Sequence, residues 1–377
     1  MRTANPTSTT AIMEAPTMLR IEKPLHGAVL NHRYGTQTDD ALTITVAGQA
    51  PPYGQVTVND RPAAVSMGRF ACEVVITQAE QDITAVYDGS YGHQEHTVRV
   101  VWDRYSRPRY RFSIDDNSFW LRDIAREGYA SLFDCFYLAM LRNLHQEYGA
   151  KFTLNIYHHT ADSFEISEFP DRYRGEFEAN ADWLVLAFHA RANDPDRLYQ
   201  YAPPEELIRD LDLVQEEIIR FAGELTLAVP TVIHWGMVLP EALPLLYERG
   251  VRVLSGFSHP TSHGWDVNYW LDDVRSEWLY HHEALKDFAT GIVFSRVDIV
   301  CNNTPIEQVA PTLQPLYDSP VQAEIMDLFT HEQYFWPFYV NHIPDHADRL
   351  DATIRWVTER GYEPVFFHEG FLGGPMP

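Results

Sequence analysis

The chain has 377 residues, of which 45% are hydrophobic and 22% charged, a composition typical of soluble globular proteins with one large domain or two smaller ones. Its formal net charge of −24 argues against nucleic acid as a partner, and no apolar run is long enough for a membrane-spanning helix. The three cysteines are odd in number and widely spaced, which favours a reducing compartment. We therefore predict a cytoplasmic protein without a membrane partner, the alternative being a cleaved signal peptide.

The first part of the chain is predicted to be all β. Residues 1–17 are rich in Thr, Ala and Pro and lack an apolar h-region, which predicts a disordered leader. Residues 18–104 contain short β runs about ten residues apart, broken by Gly, Pro, Asn and Asp, as in an immunoglobulin-like sandwich. The predicted strands are Ala41–Val46, Gln55–Val58, Phe70–Val75, Asp82–Tyr87 and His96–Val101.

Residues 105–377 alternate between strand and helix patterns, which predicts an α/β fold with a parallel sheet, here a (β/α) barrel. The predicted strands are Arg111–Ile114, Phe152–Tyr157, Trp183–Phe188, Thr231–Ile233, Arg252–Leu254, Ile292–Val300, Phe329–Thr330 and Pro364–Phe367. The predicted helices are Ser131–Gly149, Pro204–Phe221, Pro240–Arg249, Ala323–Leu328 and Asp345–Arg360. Functional residues of such folds lie at the carboxyl ends of the strands.

Histidine and aspartate recur at those strand ends. Asp115 and Asp116 follow the first strand, where two close carboxylates need a cation or a shared proton; the alternative is a helix cap. The histidines that follow later strands are His158, His159, His189, His234, His331 and His368, the last beside Glu369. Histidine and aspartate that converge at a barrel mouth are typical of a metal-hydrolase site.

Two short motifs resemble those of the NodB-type polysaccharide deacetylases, carbohydrate esterases with a distorted (β/α) barrel. Ser113-Ile114-Asp115-Asp116 resembles the first motif of that family, and His189-Ala190-Arg191-Ala192-Asn193 resembles the second. The resemblance implies that Asp116, His189 and Asn193 bind a divalent metal, most often zinc, and that Asp115 is the general base. Asp194-Pro195 is a turn signal, so the alternative for Asn193 is a helix cap.

The later motifs of the family are matched more loosely. Ile233-His234-Trp235-Gly236 corresponds in order to the third motif but lacks its arginine, which would orient the catalytic carboxylate; His234 or Arg191 is the candidate replacement. His263-Gly264-Trp265-Asp266 corresponds to the fourth motif, which lines the pocket. Leu328-Phe329-Thr330-His331 resembles the fifth, which implies that His331 is the general acid.

These observations together predict a metal-dependent hydrolase that cleaves an amide or ester of a carbohydrate or a related N-acyl substrate. Asp115, His331 and His234 are the candidate catalytic residues, and Asp116, His189 and Asn193 the candidate metal ligands. The candidate substrate-binding residues are Trp235, His158, His159, Arg191, Trp265 and Glu332. The alternatives are a glycosidase-like enzyme that uses Asp115 with Glu332 or Asp298, and a non-catalytic sugar-binding protein.

Overall fold

The computed structural model describes residues 17–160 and 164–367, and its contacts divide the chain into two compact units on either side of the Trp102–Asp103 bond. Most of the predicted leader and the His368-Glu369 pair lie outside the described residues. Among the described residues, no helix is both long and apolar enough to cross a membrane.

The first unit consists of two five-stranded sheets in which nearly all neighbours are antiparallel. Inward-facing residues alternate with outward-facing ones along β4, where Leu42, Ile44 and Val46 are buried. Its immunoglobulin class remains a prediction. The strands are β1 Arg20–Lys23, β2 Val29–Leu30, β3 Gly35–Gln37, β4 Leu42–Gln49, β5 Gly54–Val58, β6 Arg61–Pro62, β7 Ala64–Ser66, β8 Arg69–Ile76, β9 Glu80–Gly89 and β10 Gly92–Trp102.

The second unit mixes strands and helices, as predicted. Its strands are β11 Arg109–Asn117, β12 Phe152–Tyr157, β13 Leu184–Ala190, β14 Val253–Gly256, β15 His259–Thr261, β16 Gly264–Asp266, β17 Ala284–Lys286, β18 Val293–Arg296, β19 Ile299–Val300, β20 Ile325–His331 and β21 Glu363–Pro364. Its helices are α1 Phe119–Glu127, α2 Phe136–Tyr148, α3 Arg174–Ala179, α4 Pro204–Ala222, α5 Leu243–Glu248, α6 Asp273–His281, α7 Ile306–Tyr317 and α8 His346–Glu359.

A parallel sheet in the order β13-β12-β11-β20-β19 forms the centre of this unit, and β21 also pairs with β11. Eight of the nine residues of β11 are buried, as expected of a parallel strand that is covered on both faces. The strands run in the same direction, so their carboxyl ends meet at one edge. The predicted α/β fold with a parallel sheet and helices is confirmed.

A second sheet, β14-β18-β17, is linked to the two edges of the central sheet by backbone hydrogen bonds of the connecting segments. On one side, Leu186 of β13 donates to Thr226, and Ser255 of β14 donates to Thr231. On the other side, Asp298 donates to Asp327 of β20 over 3.0 Å. The strand ends of both sheets therefore face a shared cavity, while closure into a distorted barrel remains a prediction.

Two predicted elements are wrong. The segment predicted as helix Ala323–Leu328 contains the start of β20, which pairs with β11 and β19; a short buried apolar run fits either element by pattern alone. Thr231–Ile233 is not a strand, because Thr231 is joined to the neighbouring β14 only through the bond from Ser255. The helices α1, α3, α6 and α7 are absent from the sequence prediction, and in α7 the residues Pro311 and Pro315 interrupt the helical pattern.

Candidate functional site

A bulge at the end of β11 brings two adjacent carboxylates to one cavity. The pairing of β11 with β12 shifts register between Ile114 and Asn117, and Asp116 has a left-handed backbone with φ of 61°. Neighbouring residues of a regular strand point to opposite faces, so this distortion allows Asp115 and Asp116 to line the same space. The sequence pattern gave no signal for a bulge.

Two histidines converge on Asp116. His189 Nε2, at the end of β13, lies 3.2 Å from Asp116 Oδ1. His234 Nε2, in the short 3-10 turn His234–Gly236, lies 3.9 Å from the same oxygen. One ligand atom from each of the three residues lies within 4.8 Å of the others, and both histidines are buried. One carboxylate and two imidazoles are a donor set that suits zinc, so these residues fit a divalent ion.

The pKa shifts of these three residues follow from burial and mutual contact. Burial alone would raise the pKa of Asp116, but the hydrogen bond with His189 and the charges of His331, His189 and His234 lower it. Burial opposes protonation of His189, but Asp115 and Asp116 raise its pKa above the ordinary value. Burial, together with His189, lowers the pKa of His234 to about 3. His234 is therefore neutral and able to donate a lone pair, whereas the raised pKa of His189 means that a metal competes with a proton for this ring.

Asn193 also lines the cavity, next to this cluster of ligand atoms. Its side-chain oxygen lies 3.3 Å from the Tyr157 hydroxyl, which also hydrogen-bonds to Asp116 Oδ1 and lies 3.0 Å from His234 Nε2. The alternative of a helix cap is wrong, because the next helix begins eleven residues later at Pro204. His234, predicted as a catalytic residue, thus lies close to Asp116, and the predicted ligand Asn193 is linked to Asp116 through the Tyr157 hydroxyl.

Asp115 is held by an amide and not by an arginine. Asn155 Nδ2, on β12, donates to Asp115 Oδ1 over 2.6 Å, and both residues are buried. The other oxygen, Oδ2, lies 3.8 Å from His189 Nε2. Arg111, on the same strand, pairs instead with Asp327 over 2.6 Å. The contact to the catalytic carboxylate that the third-motif arginine would make is thus made by Asn155, and not by the candidate replacements His234 and Arg191.

His331 faces Asp115 across the sheet. The two residues are direct register partners of β20 and β11, and His331 also lines the cavity. Its Nδ1 lies 2.9 Å from Asn302 Oδ1, and its ring contacts Phe329. Asp115 and His331 are therefore placed at one end of the same sheet, beside the cluster of Asp116, His189 and His234.

The cavity has a volume of about 500 Å³ and a partly aromatic wall. Trp235 lines it with an exposed ring, over which the Arg197 guanidinium stacks at 4.5 Å. Arg197 is in turn held by both carboxylate oxygens of Asp266. Phe257 and Tyr334 contribute further rings to the wall.

Five predicted substrate-binding residues do not line this cavity: His158, His159, Arg191, Trp265 and Glu332. His158 is buried beyond the end of β12, and Arg191 is exposed 3.7 Å from Asp210. Trp265 packs against Tyr280. Neither a position after a strand end nor a loose motif match determines which way a loop residue turns.

Glu332 has a structural contact that explains its burial. Its carboxylate accepts hydrogen bonds from the backbone N–H groups of Ser118, Phe119 and Trp120, at the start of α1. These are N–H groups that a helix cannot satisfy internally. The interpretation of Glu332 as a substrate-binding residue is therefore not supported by its contacts.

No protein-family model matches the chain, and no curated protein matches it in sequence. Solved structures that are similar include a peptidoglycan N-acetylglucosamine deacetylase (11% identity, TM-score 0.37, covering 69% of this chain and 86% of that one). A 4-α-glucanotransferase from Thermococcus litoralis is 12% identical, with a TM-score of 0.46, and the match covers 70% of this chain and 40% of that one. A CE4-family pseudoenzyme from Bacillus anthracis is 9% identical, with a TM-score of 0.31, and the match covers 75% of this chain and 81% of that one. The chain thus spans less than half of the glucanotransferase. At these identities and TM-scores, none of the three activities transfers to the present chain.

Proposed function

We propose that the second unit is a zinc-dependent hydrolase that removes an acyl group from a carbohydrate by cleaving an amide or an ester. The observation that carries this proposal is the convergence of Asp116, His189 and His234 beside Asp115 and His331 in one cavity. A metal-binding cluster, a carboxylate and an imidazole are the groups that such a hydrolysis requires.

Asp116, His189 and His234 would hold the ion, with Asn193 at the edge of the site. When bound, a divalent ion supplies Lewis-acid polarisation of the carbonyl group to be attacked. The Tyr157 hydroxyl contacts Asp116 Oδ1 and His234 Nε2 themselves, so it would lie beside the bound ion. This assignment differs from the predicted one, because His234 becomes a ligand and Asn193 does not.

Asp115 and His331 would handle the protons. Asn155 occupies Oδ1 of Asp115, so Oδ2 remains to accept a proton from the attacking water. His331 would donate a proton to the leaving amine or alkoxide. Direct pairing of the two residues between β11 and β20 fixes their separation through rigid backbone rather than through loops.

The wall of the cavity supports a carbohydrate as the substrate. A volume of about 500 Å³ falls within the usual range for small-ligand sites. Sugars present apolar C–H faces, which pack against rigid rings such as those of Trp235, Phe257 and Tyr334. The polar side chains of the wall would bind the hydroxyl groups.

The glycosidase alternative lacks its predicted second acid at the cavity. Glu332 is engaged by three backbone N–H groups, and the Asp298 carboxylate accepts a hydrogen bond from the Asp327 backbone over 2.8 Å. Neither residue lines the cavity. No contact of the described residues favours this alternative over acyl hydrolysis.

The test is reconstitution of the full-length chain, stripped with a chelator, with zinc. We expect about one zinc ion per chain and zinc-dependent release of acetate from N-acetylated chitooligosaccharides or O-acetylated xylooligosaccharides. Asp115→Asn should retain zinc and lose ~100-fold or more of the turnover, the usual contribution of a general base. Asp182→Asn, a change of the same type at an exposed position, is the control.

Other results would identify the alternatives. Release of reducing ends without acetate would favour the glycosidase, and sugar binding without release of either product would favour the binding protein. A chain that binds no zinc would overturn the proposed hydrolase.

A further inference from the structure

His331 has one buried polar partner at the cavity wall. Its Nδ1 lies 2.9 Å from Oδ1 of Asn302, which is in the short 3-10 turn Cys301–Asn303 that follows β19. The hydroxyl of Thr330 lies 3.2 Å from the same Asn302 oxygen. Asn302 is 6% exposed, so its side chain is fixed by these contacts and by a hydrogen bond from its Nδ2 to Asn303.

His346 determines the direction of these hydrogen bonds. Its Nε2 lies 2.7 Å from the Thr330 hydroxyl, whereas its Nδ1 is buried and has no hydrogen-bond partner among the described residues. Burial, together with Arg349 and His331, lowers the pKa of His346 to about 3, so this ring is neutral and carries a single N–H. A buried N–H without an acceptor is rare, so the proton belongs on Nε2.

The rest of the chain of hydrogen bonds follows from that proton. His346 donates to the Thr330 oxygen, the Thr330 hydroxyl donates to Asn302 Oδ1, and His331 donates to the same Oδ1 through Nδ1. If the Asn302 amide were reversed, Thr330 would have to donate to His346 Nε2. The His346 N–H would then be buried on Nδ1 without an acceptor, an arrangement that folded proteins rarely contain.

We propose that Asn302 is a positioning residue that fixes neutral His331 as the Nδ1–H tautomer, and so leaves Nε2 to face the cavity. The proposal rests on the proposed function, in which Nε2 of the neutral ring first takes up a proton from the solvent and then delivers it to the leaving group. Asn302 Oδ1 accepts from Nδ1–H in both states of the ring. A histidine is usually oriented by the partner of its second nitrogen. Here that partner is a neutral amide, which fixes the ring without adding a charge to the site.

The tautomer can be measured without a substrate. Zinc-loaded, full-length protein with ¹⁵N-labelled histidine would be studied by long-range ¹H–¹⁵N correlation at about pH 8.5, well above the ordinary histidine pKa of ~6.5. The His331 signals would be assigned by their loss in His331→Gln. We expect the Nδ1–H pattern in the wild type and its loss in Asn302→Leu, which has similar volume but no acceptor.

Two further variants distinguish the effect of the Asn302 acceptor oxygen from the effect of an added negative charge. Asn302→Asp retains an oxygen at the contact, so it should keep the Nδ1–H pattern. Asn303→Asp adds the same charge at the neighbouring exposed position without removing the Asn302 oxygen, and it should also keep the pattern. An Nε2–H or doubly protonated His331 in the wild type, or an Nδ1–H pattern that survives in Asn302→Leu, overturns the proposal.

Kinetics then connect the tautomer to the proposed function. With an acetylated substrate, Asn302→Leu should lower kcat by ~10–100-fold and change KM by less than about twofold, because the ring is misplaced but substrate contacts remain. An unchanged kcat would overturn the positioning role. If the wild type releases no acetate while showing the Nδ1–H pattern, the proposed function fails and the tautomer assignment stands.

Discussion

The Asp116 carboxylate has two imidazole neighbours, His189 and His234, and its Oδ2 accepts a hydrogen bond from Gln333 Nε2 over 2.7 Å. Within the described part of the chain, the predicted ligand Asn193 has no direct contact of this kind with Asp116, so the two side chains His234 and Asn193 are expected to contribute differently to metal binding. His234 Nε2 lies within 4.8 Å of the other ligand atoms, whereas Asn193 contacts Tyr157. His234→Ala should therefore weaken zinc binding by more than ~100-fold, and Asn193→Ala by no more than ~10-fold, the lower end of the effect of an outer contact. Competition with a chromogenic chelator measures both affinities.

His331→Gln is the matched control, because His331 lines the same cavity outside the cluster of ligand atoms. The zinc affinity of His331→Gln should stay within about threefold of the wild type, because this substitution removes neither a metal ligand nor a hydrogen-bond partner of one. A larger loss in Asn193→Ala than in His234→Ala would restore the ligand set predicted from the sequence.

At this scale, the sequence indicated the residues with distinctive chemistry but not those that hold them. Asp115, Asp116, His189, His234 and His331 were selected because carboxylates and imidazoles at strand ends are informative, and all five line the cavity. Their supporting residues are amides and a tyrosine, types that occur throughout any chain. The sequence indicated a role for Tyr157 only through its position at the end of a predicted strand. The prediction instead selected His158 and His159, which follow it.

The contact between β20 and α8 makes stability depend on pH through His346. The pKa of this residue is lowered by burial from 6.5 to about 3, so the unfolded chain binds its proton at a higher pH than the folded chain does. The stabilisation is therefore complete above pH ~6.5 and is lost as the pH falls towards 3, by up to ~1.4 kcal/mol per pH unit. His346→Gln should remove this part of the pH dependence.

Urea unfolding of the wild type and His346→Gln between pH 7 and 4 measures the difference. His346→Gln should have a lower free energy of unfolding than the wild type at pH 7, and the difference between the two proteins should become smaller as the pH is lowered. His281→Gln, at an exposed position in α6, is the control for a change of histidine that is not buried. A gap that stays constant with pH would contradict the assignment of a neutral, buried His346.

Helices and strands were predicted correctly where the hydrophobic pattern and the length of the segment indicated the same type of element. The strand Phe152–Tyr157 has the same bounds in the structure, and α4 differs from its prediction by one residue. β20 was divided between a helix and a short strand, because only its pairing with β11 distinguishes it from a buried helix. The bulge at Asp116 could not be predicted, since it is a property of the ladder between two strands that are distant in sequence.

At the scale of the whole molecule, all residues of the candidate site belong to the unit that begins at Asp103. The composition change after residue 104 in the sequence indicated a boundary close to this one. Closure of the barrel and the class of the first unit could not be inferred from pattern, because both depend on contacts between strands distant in sequence.

Zinc should therefore stabilise one unit locally, and hydrogen exchange can resolve this by segment. A ligand that binds only the folded state adds ~2.7 kcal/mol when it is present at 100 times its Kd, and local opening near the ligands is suppressed most. We expect slower amide exchange in peptides that contain Asp116, His189 and His234 when zinc is added to the stripped protein. Peptides from β4, β9 and β10 of the first unit should not change.

His234→Ala measured with and without zinc makes this prediction specific to the site. If the three residues hold the ion, the variant should lose the protection in all three peptides together, including those around Asp116 and His189, which are distant from residue 234 in sequence. Adventitious zinc on surface histidines would instead protect scattered peptides equally in both proteins. Protection in the first unit alone would contradict a metal site at the carboxyl ends of β11 and β13.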